Sequence, residues 1–262
     1  MRFFMFILLC IPGVVAAQDI EVDVELFLAV DVSRSMTSEE LDIQRLGYAE
    51  ALTSPDVLRA IQSGLLGRIA VTYVEWAGAS AQRIVIPWQI VETSDQAERI
   101  ADTIVTTQNG ALRYTSVSGI LDYASESIIN NQFNGLRRII DVSGDGPNNH
   151  GTPVTSARDA AVAQGITING LPLMTVDMLS EFWGIPDLDV YYEACVIGGP
   201  GAFVIPVLDW DEFAPAIKRK LILEISMQRA QVVPVQYTAQ QPYNCLIGEE
   251  MRAQNRTYFT IP

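Results

Sequence analysis

The chain has 262 residues, and its 17 lysine and arginine residues face 31 aspartate and glutamate residues, for a formal net charge of −14 at pH 7. A polyanion of this size repels nucleic acid and acidic membrane surfaces, so we expect neither to be a partner. The acidic excess suits instead a cation-binding, freely soluble protein outside the cytoplasm.

The first 17 residues have the pattern of a secretory signal peptide. Arg2 carries the positive charge, residues 3–11 form a short apolar core, and residues 15–17 are small. The apolar core is too short for a membrane span, so we expect no span after cleavage. We predict cleavage after Ala17 and a periplasmic or secreted protein. Loss of Arg2 changes its net charge from −14 to −15.

Two of the three cysteines remain after cleavage, because Cys10 leaves with the signal peptide. A lipid anchor on Cys10 is a weaker alternative, since the leucines before it are not the small residues that such processing favours. Cys195 and Cys245 form an even pair in an oxidising compartment, so we expect a disulfide between them. Closing this loop would stabilise the fold by about 2–4 kcal/mol. Two buried free thiols are the alternative.

Cleavage leaves about 245 residues, a length that fits one large domain or a domain with a C-terminal tail. No internal repeat and no low-complexity linker is visible in the sequence. We predict one domain over residues 18–226 and a tail over residues 227–262, which the disulfide would tie to the domain.

Predicted strands and helices alternate along the chain. Apolar runs and alternation predict strands over residues 24–30, 69–76, 83–91, 139–142, 166–173 and 201–207. Helical periodicity and capping residues predict helices that begin near Thr37, Pro55, Ser94, Thr115, Thr152 and Asp211.

This alternation predicts an α/β fold: a Rossmann-like, doubly wound, mostly parallel sheet with helices on both faces. The strand over residues 83–91 contains Pro87, which cannot donate a hydrogen bond to a neighbouring strand. We therefore expect one antiparallel strand at the edge of the sheet, paired with residues 69–76.

A carboxylate and two hydroxyls follow the first predicted strand. Asp31, Ser33 and Ser35 alternate in the loop directly after residues 24–30. Their oxygens are hard ligands that suit a small divalent cation, and neither a thiol nor an imidazole competes in the loop. Serine and aspartate are also ordinary turn residues, so the loop by itself is a weak signal.

Two more oxygen-bearing residues are expected at the same edge of the sheet. Asp145 follows the strand over residues 139–142, and Thr115 opens a helix. Ligands of open α/β sheets bind at the carboxyl ends of the strands, where the strand order reverses. The sequence therefore predicts that three separate segments meet at one cation site.

Together, the Asp-x-Ser-x-Ser loop, the threonine at a helix start and the Asp-Gly pair at residues 145–146 resemble the von Willebrand factor type A (vWA) domain. The resemblance covers about residues 20–226, in the same order of elements. Residues 191–204, Tyr-Tyr-Glu-Ala-Cys-Val-Ile-Gly-Gly-Pro-Gly-Ala-Phe-Val, are similar to a narrower group, secreted proteobacterial proteins of unknown function.

The resemblance implies a metal-ion-dependent adhesion site (MIDAS). Ser33 and Ser35 would bind the cation through their hydroxyls, and Thr115 would add a third hydroxyl directly or through water. Asp31 and Asp145 would hold the remaining positions, one or both through water. The expected cation is Mg²⁺, with Mn²⁺ or Ca²⁺ as alternatives. A vacant position would accept an exposed Asp or Glu side chain of a protein partner.

Two departures from the family pattern lie beside the expected ligands. Arg113 and Tyr114 precede Thr115 where the family commonly has a glycine, and Ser143-Gly144 replaces the usual threonine before the Asp-Gly pair. Neither change removes a ligand. Tyr114 could alter access to the cation, and Arg34, inside the loop, could either repel a cation or recruit an anionic ligand.

Enzymatic alternatives find little support in the sequence. The sequence has one histidine, His150, and no nucleophile elbow, so a serine or cysteine triad has almost no candidate residues. We expect His150 to be a loop residue near the site. A haloacid-dehalogenase-type phosphatase would need a second aspartate at position 33. We therefore predict a binding protein and no enzyme. A metal-dependent hydrolase or phosphatase using Asp31 and Asp145, or a structural domain without metal, are the alternatives.

Overall fold

The structure, a computed structural model, describes residues 19–175, 184–226 and 243–258, the last three of these by their backbone alone. The predicted signal peptide and most of the predicted tail lie outside these residues. The strands are β1 (Ile20–Asp31), β2 (Ile69–Trp76), β3 (Gln82–Val91), β4 (Phe133–Gly144) and β5 (Ile166–Pro172). They form one sheet in the order β3-β2-β1-β4-β5.

Helices cover both faces of this sheet. They are α1 (Ser38–Thr53), α2 (Pro55–Gln62), α3 (Ser94–Thr106), α4 (Val117–Ile129), α5 (Val154–Ala163), the short α6 (Leu188–Tyr191), α7 (Phe213–Ile225) and α8 (Ile247–Tyr258). A π-helical turn, Tyr192–Val196, continues α6, and a 3₁₀ turn, Trp210–Glu212, precedes α7.

The central strand β1 supplies both halves of the core. Its residues alternate, so that Leu26 and Leu28 pack against α1, α2, α3 and α7, whereas Phe27 and Ala29 pack against α4, α5 and α6. All four side chains are fully buried. Burial on both faces explains the continuous apolar run of this strand, as is usual for parallel sheets. The expected doubly wound α/β fold is confirmed.

The strand order reverses beside β1. β1 pairs in parallel with β2 on one side and with β4 on the other. The chain reaches β2 through helices on one face, and it reaches β4 through α4 on the opposite face. The carboxyl ends of β1 and β4, at Asp31 and Gly144, therefore border the crevice where ligands of such sheets bind.

The antiparallel edge strand is also confirmed. β3 pairs with β2 alone, and the pairing is irregular opposite Thr72, between Ile86 and Gln89, where Pro87 stands. The Thr72 hydroxyl donates a hydrogen bond of 2.7 Å to the carbonyl oxygen of Ile86. The side chain thus satisfies an acceptor at the point where the ladder is irregular.

The strand predicted over residues 201–207 is wrong. The segment follows the edge of β5 but makes only isolated bridges, from Val204 to Gly170 and from Val207 to Leu173. Ile205 and Val207 donate their N–H groups to the carbonyl oxygens of Gly170 and Pro172, but Pro172 has no N–H group to donate back to the segment, which breaks the ladder.

In the described part of the chain, no helix combines the length and the apolar character that crossing a membrane requires.

Candidate metal centre

The loop after β1 is fixed by its own side chains. Asp31 is fully buried, and its Oδ1 accepts a hydrogen bond of 2.7 Å from the backbone N–H of Ser33. The hydroxyl oxygens of Ser33 and Ser35 lie 2.8 Å apart. From α1, Gln44 donates its side-chain amide to the Asp31 carbonyl oxygen at 3.1 Å. The loop therefore presents its carboxylate and two hydroxyls in one defined arrangement.

Asp145, one residue beyond β4, meets this loop. The Ser33 hydroxyl donates to Asp145 Oδ1 at 3.4 Å, and the Ser35 hydroxyl also hydrogen-bonds the Asp145 carboxylate. The parallel pairing of β1 with β4 brings these residues together across 112 positions of sequence. The structure thus places four of the five predicted ligands in one cluster: Asp31, Ser33, Ser35 and Asp145.

The two carboxylates repel each other in a poorly solvated place. Burial raises the pKa of Asp31 well above its usual value, and the negative charge of Asp145 raises it further. Desolvation raises the pKa of Asp145 to about 6, against the opposing effect of the hydrogen bonds from Ser35 and Ser33. Among the described residues, neither carboxylate forms an ion pair with a lysine or arginine. A cation would supply the missing positive charge.

An open acceptor lies at the buried side of the cluster. Asp31 Oδ2 is buried and has no hydrogen-bond partner among the described residues, and the same holds for the Tyr192 hydroxyl. Both atoms surround Gly144: a Cβ there would lie 3.0 Å from Asp31 Oδ2 and 2.9 Å from the Tyr192 oxygen. Only a glycine leaves these groups in place. An all-oxygen donor set with an unused carboxylate oxygen fits a hard cation such as Mg²⁺.

The fifth predicted ligand, Thr115, lies on the neighbouring loop. Its N–H donates to Asn149 Oδ1 at 3.0 Å, and its carbonyl oxygen accepts from the Asn149 N–H at 2.8 Å. A bridge between Ser33 and Leu112 sets this loop beside the Asp31 loop. Within the described residues, the Thr115 hydroxyl forms no hydrogen bond with the other four predicted ligands. Ser116, and not Thr115, caps α4, and so the expectation that Thr115 opens the helix is corrected by one residue.

Tyr114 stands where a glycine would be unstrained. Its φ is +73°, a region that side chains other than glycine rarely adopt. Its ring stacks on His150 at 4.7 Å between centroids, and the Arg252 guanidinium lies over it at 4.4 Å. His150 itself accepts a hydrogen bond at Nδ1 from the Ala79 N–H, at 3.0 Å. These contacts hold a partly exposed aromatic ring directly beside Thr115.

The C-terminal helix α8 packs against the loop that contains Asn148 and Asn149. A disulfide joins Cys195 to Cys245 just before the helix, with 5.5 Å between their Cα atoms. The Asn148 side-chain amide donates to Glu249 at 2.6 Å, and Arg252 Nη1 donates to the Asn149 carbonyl oxygen at 2.8 Å. The described part of the predicted tail, residues 243–258, is therefore part of the surroundings of the site.

Sequence patterns missed two residues of these surroundings. Tyr192 comes from a π-helical turn and Arg252 from a helix outside the predicted domain. Nothing in their local sequence points to the site. No group of three His, Cys, Asp or Glu side chains suited to a metal occurs in the described parts of the chain. The cluster differs from such groups because hydroxyls replace most of its carboxylates.

Comparison with known proteins gives the family. Residues 21–229 match the model of the family described as protein of unknown function (DUF1194). No curated protein matches the chain by sequence. The matched region contains all five predicted ligands and ends before α8.

Solved structures share the fold. Proximal thread matrix protein 1 (PTMP1) from the mussel byssus has 17% identity over 79% of this chain and 50% of its own, with a TM-score of 0.55. The pilus adhesin SpaC from Lactobacillus rhamnosus GG has 12% identity over 79% of this chain and 31% of its own, with a TM-score of 0.58. A von Willebrand factor type A protein from Catenulispora acidiphila has 15% identity over 78% of this chain and 43% of its own, with a TM-score of 0.54.

The chain thus spans half or less of the length of each of these proteins, and identities this low show the fold alone. A second structure of the mussel protein is described as having a zinc-occupied MIDAS motif. The match over most of the chain, together with the shared fold, shows that the protein belongs to the DUF1194 family and has a von Willebrand factor type A fold.

Proposed function

We propose that the protein binds a divalent cation, Mg²⁺ or else Mn²⁺ or Ca²⁺, and uses it to recognise a protein partner. One observation carries this proposal. Asp31 and Asp145 lie together with two serine hydroxyls, and the described residues supply no ion pair to either carboxylate. A bound cation would offset the burial that raises the pKa of both carboxylates and the charge of Asp145 that raises the pKa of Asp31 further.

The ligands would come from three segments. Ser33, Ser35, Asp31 and Asp145 would hold the cation, and Thr115 would contribute its hydroxyl directly or through water. The two carboxylates balance the charge of a divalent cation, and the hydroxyl ligands add no further negative charge. Mg²⁺ keeps exchangeable waters, so an Asp or Glu side chain of the partner would replace one of them. The adhesin fold of SpaC and the MIDAS of the mussel protein support this reading by analogy alone.

We further propose that the protein works in the periplasm or outside the cell. The pattern of residues 1–17 supports export. The disulfide between Cys195 and Cys245 supports an oxidising compartment, since such bonds are rare in the cytoplasm.

Capture of partners by the mature chain would test the function. Immobilised protein is exposed to periplasmic extract with Mg²⁺, with a chelator, and with the chelator followed by excess Mg²⁺. We expect one partner set that is lost with the chelator and restored by Mg²⁺, and absent from a Ser33→Ala, Ser35→Ala variant. A matched Ser63→Ala variant, changed in the turn after α2, should capture as the wild type does.

Capture of the same partners in the presence and absence of the chelator would contradict the proposal.

We also propose that the protein is not an enzyme, and a separate assay tests this. Hydrolysis of p-nitrophenyl phosphate that needs Mg²⁺ and disappears in Asp31→Asn would favour the hydrolase alternative.

A further inference from the structure

Three arginines lie beside the candidate site in a chain that is strongly acidic overall. The guanidinium carbons of Arg252 and Arg113 lie 4.4 and 5.7 Å from the centre of the Tyr114 ring. Tyr114 directly precedes Thr115, so both charges border the Thr115 side of the site. Arg34 is exposed between the two serines of the Asp31 loop. We call these three residues, Arg34, Arg113 and Arg252, the arginine rim.

The charges of the rim are not neutralised by neighbouring carboxylates. Among residues 19–175, 184–226 and 243–258, none of the three arginines forms an ion pair. Two acidic side chains near the site have other partners. Glu40 accepts from the Thr37 N–H and the Trp210 indole, and Glu249 accepts from the Asn148 amide. Burial, and then the positive charge of Arg252, lower the pKa of His150.

Arg252 is the best-positioned member of the rim. Its Nη1 donates to the Asn149 carbonyl oxygen at 2.8 Å, and its guanidinium plane rests on Tyr114. Asn149 in turn holds both backbone groups of Thr115. A guanidinium held by stacking loses little side-chain freedom when it binds an anion, and its fork matches a carboxylate. The disulfide and the contact between Asn148 and Glu249 keep the helix of Arg252 in place.

We propose that the arginine rim selects an acidic peptide segment with two neighbouring carboxylates, one for the cation and one for Arg252. The inference rests on the proposed function, because the first carboxylate needs the cation. A ligand with a single acidic residue would use the cation alone. The partner would therefore present a short acidic run on an exposed segment, and Arg252 would determine specificity.

Two labelled peptides of equal length test this inference on the mature chain with saturating Mg²⁺. One carries Glu-Gly-Glu in a glycine-serine background, and in the other the second glutamate is glutamine. By fluorescence anisotropy, we expect about tenfold tighter binding of the first peptide, the effect of one charge-assisted contact. Arg252→Gln should reduce this preference to about twofold or less, and Arg252→Lys should keep part of it because the charge remains.

Arg59→Gln is the matched control, since Arg59 lies on α2, before the amino end of β2 at the opposite edge of the sheet. It should keep the full preference. Equal binding of both peptides by the wild type, or an unchanged preference in Arg252→Gln, would overturn the inference. Calorimetric titration with Mg²⁺ alone separates the two proposals. If the wild type binds no Mg²⁺, the proposed function fails, whereas Mg²⁺ binding without a preference between the peptides overturns the rim alone.

Discussion

At the scale of single residues, some groups of the candidate site can be predicted from the sequence and others cannot. Asp31, Ser33, Ser35 and Asp145 could be predicted because they lie at or just beyond the carboxyl ends of strands whose apolar pattern is clear. Tyr192 could not be predicted, because it reaches the site through a π-helical turn that has no periodic signal. The strained backbone of Tyr114 likewise depends on tertiary stacking that no local pattern encodes.

Gly144 gives the first prediction. A methyl group there would meet Asp31 Oδ2 and the Tyr192 hydroxyl at 3.0 and 2.9 Å, closer than ordinary contact. Gly144→Ala should therefore displace the Asp31 carboxylate and weaken Mg²⁺ binding about tenfold or more, because metal sites tolerate little displacement of their ligands. The measurement is a calorimetric titration with Mg²⁺.

Gly110→Ala is the control for that titration, since a methyl group at Gly110 would meet nothing within 4 Å. Its affinity for Mg²⁺ should equal that of the wild type. Equal affinity of Gly144→Ala and Gly110→Ala would show that the space beside Asp31 does not matter to the cation.

At the scale of elements, the helices are held by polar groups as well as by apolar packing. Lys220 on α7 is fully buried, and its Nζ lies 2.5 Å from Asp141 on β4 and 2.6 Å from Glu224 on the same helix. Glu224 also accepts from the Asn169 amide of β5 at 2.9 Å. One ammonium thus faces two carboxylates between the helix and the sheet, and the cluster holds excess negative charge when both are ionised.

This cluster predicts a pH-dependent stability. Burial first, and then the charge of Asp141, raise the pKa of Glu224 from 4.5 to about 7, while Lys220 and Asn169 oppose the rise. Between these two pH values the folded protein binds a proton that the unfolded chain lacks. The contribution of Glu224 to stability is therefore complete below pH 4.5 and is lost as the pH rises through about 7.

Glu224→Gln, which mimics the protonated acid, tests this dependence. The variant and the wild type should have similar unfolding free energies at pH 5. At pH 8 we expect the variant to be more stable, by about 2 kcal/mol. Urea unfolding at both pH values gives the comparison. A difference between the two proteins that is the same at pH 5 and pH 8 would contradict the prediction.

The elements themselves show how far a sequence pattern reaches. Strands β1 to β5 and the antiparallel edge were predicted because alternation and Pro87 act locally. The segment over residues 201–207 has the same apolar character, yet the missing N–H group of Pro172 on β5 leaves it with isolated bridges. Whether such a segment completes a strand depends on hydrogen bonds to β5, which its composition does not encode.

At the scale of the whole molecule, α8 is joined to the domain by covalent and polar contacts. The disulfide closes a loop of 50 residues between Cys195 and Cys245. Cys195 is buried in the core beneath α5 and α6, so the bond ties the C-terminal helix to a rigid part of the fold. The predicted domain boundary at residue 226 therefore separates two segments that pack together.

Cys245→Ser tests the contribution of this bond. We expect the unfolding free energy to fall by about 2–4 kcal/mol, because the unfolded chain regains the freedom that the loop removes. Reductant should bring the wild type to the stability of the variant. Mg²⁺ affinity should persist, since β1, β4 and α1 position Asp31, Ser33, Ser35 and Asp145 without the disulfide. A wild type that is insensitive to reductant would contradict this account of the disulfide.

The central claim is that Asp31 and Asp145 hold a cation, and calorimetric titration of the mature protein with Mg²⁺ tests it most directly. The account predicts one Mg²⁺ per chain and a loss of affinity of about tenfold or more in Asp31→Asn and in Asp145→Asn. Asp56→Asn, changed on α2, should bind as the wild type does. A wild type that binds no Mg²⁺, or an Asp31→Asn variant that binds it equally well, would contradict the claim.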